Sequence, residues 1–251
     1  GLQLFRYDDG IYRNHSDSVF KHLEDVILFP LHVNLADFNN DGYLDIFLSH
    51  SAESRKNNTI LLNINGSNFR TAGPVSGIQT PHVLASCIGD LEGDGDIDIF
   101  GFRRGSNLLW VNDHDQKDFI SINQVGSGSY NDNNSAYALF YEPGRSGEPE
   151  ALLGRRQSRL GSSYSLANNA SSIHFGMGKR RAVDIVAYNA GGQVTHFYNT
   201  PVGTILTLPA NRGIQGTVYF IERQLKRVAN TPRIAIGLIA LMVNILIQFY
   251  F

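Results

Sequence analysis

Short apolar runs separated by turn residues fill the first 118 positions, and few of them keep a helical period. Leu4-Phe5-Arg6-Tyr7, the turn Asp8-Asp9-Gly10 and Ile11-Tyr12 read as one hairpin. Ile60-Leu61-Leu62-Asn63-Ile64, the turn Asn65-Gly66 and then Phe69 repeat that layout. Asx-Gly between apolar runs is the strongest short-range hairpin signal, because both residues tolerate positive φ. A third copy begins at Asn107-Leu108-Leu109-Trp110-Val111-Asn112. Between the copies, Val33–Ala36 and Val83–Ile88 predict strands that lead into a polar loop, and Leu44–Leu48 and Ile97–Phe100 predict strands that leave it. A repeat of about fifty residues built from several short strands is what a β-propeller blade requires.

The polar loops carry the chemistry. The first runs Asp37-Phe38-Asn39-Asn40-Asp41-Gly42-Tyr43-Leu44-Asp45, and the second Asp90-Leu91-Glu92-Gly93-Asp94-Gly95-Asp96-Ile97-Asp98. Each places oxygen side chains at positions one, three, five and nine, with Gly at six. The candidate metal ligands are therefore Asp37, Asn39, Asp41 and Asp45, with Tyr43 adding its carbonyl at position seven. In the second loop they are Asp90, Glu92, Asp94 and Asp98, with Asp96 at position seven. Ca²⁺ takes six to eight oxygens in a flexible cage, and the Gly permits the sharp turn. Glu92 is longer than Asp or Asn, so the second loop needs a wider ring or a bridging water. Position twelve is Leu48 in one loop and Gly101 in the other, which excludes an EF-hand. Without an acid there, binding at roughly 10⁻⁴–10⁻³ M is expected, suited to sites outside the cell or in a Ca²⁺-rich lumen. The expected role is structural: neutralising the carboxylates and pinning the loop between strands.

From about Asp118 the repeats stop, and residues 119–208 read as further strands, among them Phe119–Asn123, Ala136–Tyr141, Val183–Tyr188, Gln193–Tyr198 and Gly203–Leu208. Residues 209–232 form a juxtamembrane segment. Residues 233–251 predict a transmembrane helix, since Ile234–Phe251 is apolar apart from Asn244 and Gln248. At 1.5 Å per residue that stretch spans ~27 Å, close to the ~30 Å of a hydrocarbon core. Lys226, Arg227 and Arg233 flank it on one side, a vote for a cytosolic or matrix body.

Composition narrows the picture. A formal charge of −2 over 251 residues gives no case for nucleic-acid binding. The sole cysteine, Cys87, excludes an internal disulfide framework and is expected as a buried, inert thiol. No nucleophile elbow, phosphate-binding Gly loop or zinc-hydrolase signature is found, so the chain is not expected to be an enzyme or to take a small-molecule substrate. Sequons at Asn14, Asn57, Asn65, Asn133 and Asn169 are glycosylation candidates that agree with a secretory route. Basic residues gather at Arg155, Arg156 and Arg159 and at Lys179, Arg180 and Arg181. They are expected to form a solvated face, with acidic lipid headgroups or a partner as the alternative. Gly1 is neither an initiator Met nor the start of a signal peptide, so the N-terminus is read as processed or as part of a longer chain.

The aspartates around Asn40-Asp41-Gly42, followed by Tyr43-Leu44-Asp45-Ile46-Phe47, resemble the FG-GAP/VCBS (integrin-α-like) repeats, whose loops bind Ca²⁺ within propeller blades. Gly161-Ser162-Ser163-Tyr164-Ser165 followed by His174-Phe175-Gly176-Met177-Gly178 is similar to the ASPIC/UnbV module. Met177 stands for that module's Leu, and Tyr188-Asn189-Ala190-Gly191 for its Trp-Pro-x-Gly turn. His174 is expected in a structural hydrogen bond. Repeats, module and single C-terminal span together resemble the T-cell immunomodulatory protein family. That resemblance implies an all-β body anchored by one helix, at the cell surface or in the secretory pathway, that binds other proteins. The alternative is a non-catalytic structural subunit of a membrane complex, for instance in mitochondria. Propellers close with four to eight blades, and too few are present. A protein partner, a second copy or a preceding stretch of chain is therefore expected to cover the open edges.

Overall fold

Polar residues fill the inner face of the first long strand. In the computed structural model, which describes residues 2–27, 30–50, 56–73, 78, 83–113, 117–124, 136–158, 172–189 and 193–208, that strand is Pro30–Ala36. Leu31, Val33 and Leu35 point outward at 47, 37 and 49% exposure, while His32 and Asn34 are buried at 8 and 2%. The inversion has a cause. Asn34 Oδ1 accepts a hydrogen bond from Ser86 Oγ at 2.6 Å and lies 2.9 Å from His32 Nδ1, so a polar knot ties two sheets together. Burying these groups is tolerated because they are paired.

Chain order gives β1 (Phe5–Asp8), β2 (Ile11–Asn14), β3 (Pro30–Ala36), β4 (Asp45–His50), β5 (Thr59–Ile64), β6 (Asn68–Thr71), β7 (Ala85–Gly89), β8 (Asp98–Phe102) and β9 (Leu108–Trp110). They continue as β10 (Phe119–Gln124), β11 (Tyr137–Tyr141), β12 (Leu152–Gln157), β13 (Ile173–Gly176), β14 (Ala182–Tyr188), β15 (Val194–Pro201) and β16 (Thr204–Leu208). One short α-helix, α1 (Ser16–Phe20), and a 3-10 turn at Pro149–Ala151 stand among the described residues. The all-β class is as expected. Both Asx-Gly hairpins form, with Asp9, Gly10, Asn65 and Gly66 all at positive φ.

β3-β4-β5-β6 is a four-stranded antiparallel meander, and β7-β8-β9 is its three-stranded counterpart. The run read as a third copy of the Ile60–Ile64 layout is β9, the third strand of that second sheet, and it occupies the place that β5 holds in the first. Neither sheet closes into a barrel. Phe47 from β4 packs with Ile88, Ile97 and Ile99 between the two sheets, while Ile46 and Leu48 face Phe20, Leu23 and Ile27 on the other side. β4 is therefore buried on both faces. Cys87 on β7 is half-buried rather than buried.

Residues beyond 118 build two more sheets, β12-β11-β14-β15 and β13-β10-β16, with β10 and β16 parallel. They face each other over one core in which the Phe140 and Phe175 rings stack at 4.1 Å. Gly1–Leu208 is one compact unit, and Pro209–Phe251 is divided from it as a second unit. The second unit, with the expected transmembrane segment, lies outside the described residues. Among the described residues no helix is long and apolar enough to cross a membrane.

Candidate metal centre

The first loop bridges β3 and β4, and its carboxylates shape it by accepting backbone N–H groups. Asp37 Oδ1 accepts from Asp41 N at 3.1 Å and Oδ2 from Gly42 N at 2.7 Å. Asp41 Oδ1 accepts from Tyr43 N, and Asn39 Nδ2 donates to Asp41 Oδ2. Asp45 closes the ring, its oxygens accepting from Phe38 N at 2.9 Å and Asn63 N at 2.7 Å. Gly42, at φ +98, makes the turn that a side chain would strain. Burial lifts the Asp37 carboxyl to about 7, the Gly42 N–H opposing it and the like charges of Asp41 and Asp45 adding to it. Burial likewise lifts Asp45 to about 6, against its two N–H donors. Such desolvated acids favour a proton or another cation.

The second loop repeats this wiring at positions one, five and nine. Asp90 Oδ1 accepts from Gly93 N and Asp94 N, and Oδ2 from Gly95 N. Asp94 Oδ1 accepts from Asp96 N. Asp98 accepts from Leu91 N at 2.8 Å and Asn112 N at 2.9 Å. Asn63 and Asn112 therefore hold equivalent posts that the motif alone did not single out. Their signal was recurrence at the same place in the repeated apolar runs. Glu92 is exposed, and its carboxyl is held above its ordinary value by its surroundings and by the like charges of Asp98, Asp94, Asp90 and Asp113. Asp98 is raised by burial, and further by Asp94 and Asp90. The Asp96 side chain turns away from its own loop and accepts from Asn40 Nδ2 of the first at 2.7 Å.

The loops meet each other and the sheets beyond 118. Gly178 N donates to Asn40 O at 2.7 Å, and a Cβ at Gly176 would overlap Asp37 Oδ2 and the Asn40 backbone. A Cβ at Gly95 would overlap the Phe119 ring. His174 Nε2 lies 3.0 Å from Gly95 O and donates to it as the neutral ring. Burial draws His174 down to about 4, against the Gly95 bond and with the charge of Arg156. The expected structural hydrogen bond of His174 is thus formed, onto the second acidic loop. The run His174-Phe175-Gly176-Met177-Gly178 is a strap seated on both loops.

Residues 37–101 match the FG-GAP-like repeat. The matched span begins at Asp37, the first acid of the first loop, and ends within β8, so it holds both acidic loops and the strands between them. No curated protein matches the chain. Residues 119–208 lie outside the match. The donor set of the FG-GAP-like segment is oxygen throughout, which suits a hard cation. Among the described residues no group of His, Cys, Asp and Glu side chains is already gathered as a metal site, so an ion would have to draw the carboxylates together.

The remaining candidates are dispersed. Asn14, Asn57 and Asn65 are exposed, and Asn133 and Asn169 lie outside the described residues. The basic cluster is not one solvated face. Arg155, Lys179 and Arg181 are exposed, with Arg155 over the Tyr137 ring at 4.4 Å. Arg156 instead reaches the first loop, donating from Nη2 to Gly42 O at 2.6 Å, and Arg180 pairs with Glu142 at 3.8 Å. Arg159 lies outside the described residues.

Proposed function

We propose that this chain is a membrane-anchored, calcium-stabilised, propeller-type protein that binds other proteins in the manner of an adhesion module and is not an enzyme. The observation that carries the reading is the duplicated wiring of two acidic loops inside a segment that matches the FG-GAP-like repeat. Ca²⁺ would be held by the loop carboxylates and would supply the positive charge that keeps clustered acids at the strand ends. The strap and its two sheets form an ASPIC/UnbV-like module that braces the loops, in a layout similar to the T-cell immunomodulatory protein family. Residues 233–251 anchor the body at the cell surface or in the secretory pathway. The outward row Leu31, Val33 and Leu35 on β3, an edge strand, suits coverage by a partner or a second copy.

The test is capture of bound proteins from detergent-solubilised membranes, by mass spectrometry, with Ca²⁺ and with a chelator. A partner retained in Ca²⁺, released by chelator and lost with Asp94→Asn is the expected result. Partners indifferent to all three, with Asn57 and Asn65 unglycosylated, would replace this reading with that of a structural subunit of a membrane complex.

A further inference from the structure

We propose that a cavity beside the free edge of β3 receives an extended, acidic segment of a partner protein, which adds to β3 as a strand and sets a carboxylate against Arg156. The inference rests on the interaction reading above and deepens it, giving it a place on the chain and a partner chemistry.

Two strands end their sheets at this cavity. β3 pairs only with β4, and β12 only with β11. A cavity of about 450 Å³ is lined by residues 33–37 from the first edge, residues 155–157 from the second, and Ile88 and His174. That volume lies in the usual range for a ligand site. The β12 edge is already in use. Ser158 N donates to Ala136 O, so alternation turns Arg155 O away from β11, and there it accepts from Arg156 Nη1 at 3.1 Å.

The β3 edge stays open. Ala72 N donates to Ile60 O on the far side of β5. Alternation carried from there across β5 and β4 turns the backbone of Asn34 and Ala36 toward β4, and leaves the N–H and C=O groups of Val33 and Leu35 on the free side. Among the described residues no hydrogen bond reaches those groups. Donors and acceptors at strand spacing are met by another extended backbone. The exposed Val33 and Leu35 side chains add an apolar face for its alternate residues.

Arg156 sets the charge. Its Nη2 donates to Gly42 O and its Nη1 to Arg155 O, both carbonyls, and among the described residues no carboxylate forms an ion pair with it. Asp37 also lines the cavity, but it is 1% exposed and its oxygens accept from Asp41 N and Gly42 N. The cavity therefore offers a guanidinium held only by carbonyls and a ring face, and a carboxylate on the incoming strand is the group that pairs with it.

Methyl and amide NMR of the full chain in detergent tests this with five-residue probes, matched to the run 33–37. The probes are acetyl-Val-Glu-Val-Glu-Val-amide, its Gln counterpart, and the Glu peptide N-methylated at alternate bonds. The Glu peptide should shift the Val33 and Leu35 signals saturably, and the other two should bind about tenfold or more weakly, each lacking one class of hydrogen bond. Arg156→Gln should bring the Glu peptide down to the affinity of the Gln peptide. Leu35→Glu, at an exposed position, should weaken the Glu peptide by repulsion and lost apolar contact, and serves if far-UV circular dichroism shows that Arg156→Gln does not fold. Equal binding of the Glu and Gln peptides, shifts centred on other strands, or no binding by any probe would overturn the inference. So would matching shifts from free glutarate, which would make the cavity a small-anion site. The partner capture described above is read separately: a retained partner with no peptide effect overturns the added strand alone, and no partner with no peptide effect overturns both readings.

Discussion

Asp37 and His174 lie against the same pair of loops and answer pH in opposite senses. The Asp37 carboxyl, at about 7 in the fold against 3.8 when free, binds more protons folded than unfolded between those values. In chelator, its contribution to stability therefore falls as pH rises from about 4 to about 7. His174, at about 4 against 6.5, binds fewer protons folded, so its contribution rises with pH over about 4 to 6.5 and is complete above. Urea unfolding from pH 4 to 8 in chelator should show Asp37→Asn lessening the fall, with the part that Asp45 contributes between about 4 and 6 remaining, and His174→Gln removing the rise. A Ca²⁺-loaded protein should lose the Asp37 slope only if its first loop fills. The acids were legible as a pattern; Arg156 was not, because nothing local in its sequence marks a side chain that lands on a loop more than a hundred positions earlier in the chain.

At the scale of elements, the Asx-Gly turns were legible because the chemistry that forms them is local. Faces were harder. In β3 the apolar residues Leu31, Val33 and Leu35 look out and the polar ones look in, against the usual sense of alternation. A strand shows its period to a reader of sequence, but which face is inside depends on what the other sheets bring. Here β7 brings Ser86 to Asn34. Two substitutions separate these faces. Asn34→Ala should cost about 1–3 kcal/mol by removing an acceptor shared by buried donors. Leu35→Lys should change stability by less than about 0.5 kcal/mol. Denaturant unfolding of both variants would reverse this account if Leu35→Lys proved the costlier.

For the whole described unit, the strap couples the two halves of residues 1–208. Phe175 stacks on Phe140 in the core beyond 118, and its neighbours Gly176 and Gly178 touch the first loop. Phe175→Ala should cost about 3–5 kcal/mol, as deletion of a buried ring does. Its effect should also reach the loops: amide exchange should quicken at Asp41 and Gly42 as well as in β11 and β13. Faster exchange confined to β11 and β13 would mean that the halves fold independently. An exposed row on β3 and an open pair of sheets keep the expectation of a covering partner alive at this scale.

The sequence by itself determined the all-β class, the two hairpins and the two acidic loops with their nine-residue spacing, since strand period, turn chemistry and ligand alternation act over a few residues. It also placed His174 in a hydrogen bond, through a motif. Tertiary structure alone decided that the inner face of β3 is polar, and that the first loop receives Arg156 while the second receives His174. Each of these is set by groups fifty or more positions apart in the chain, whose meeting depends on how sheets stack, and stacking leaves no short-range trace.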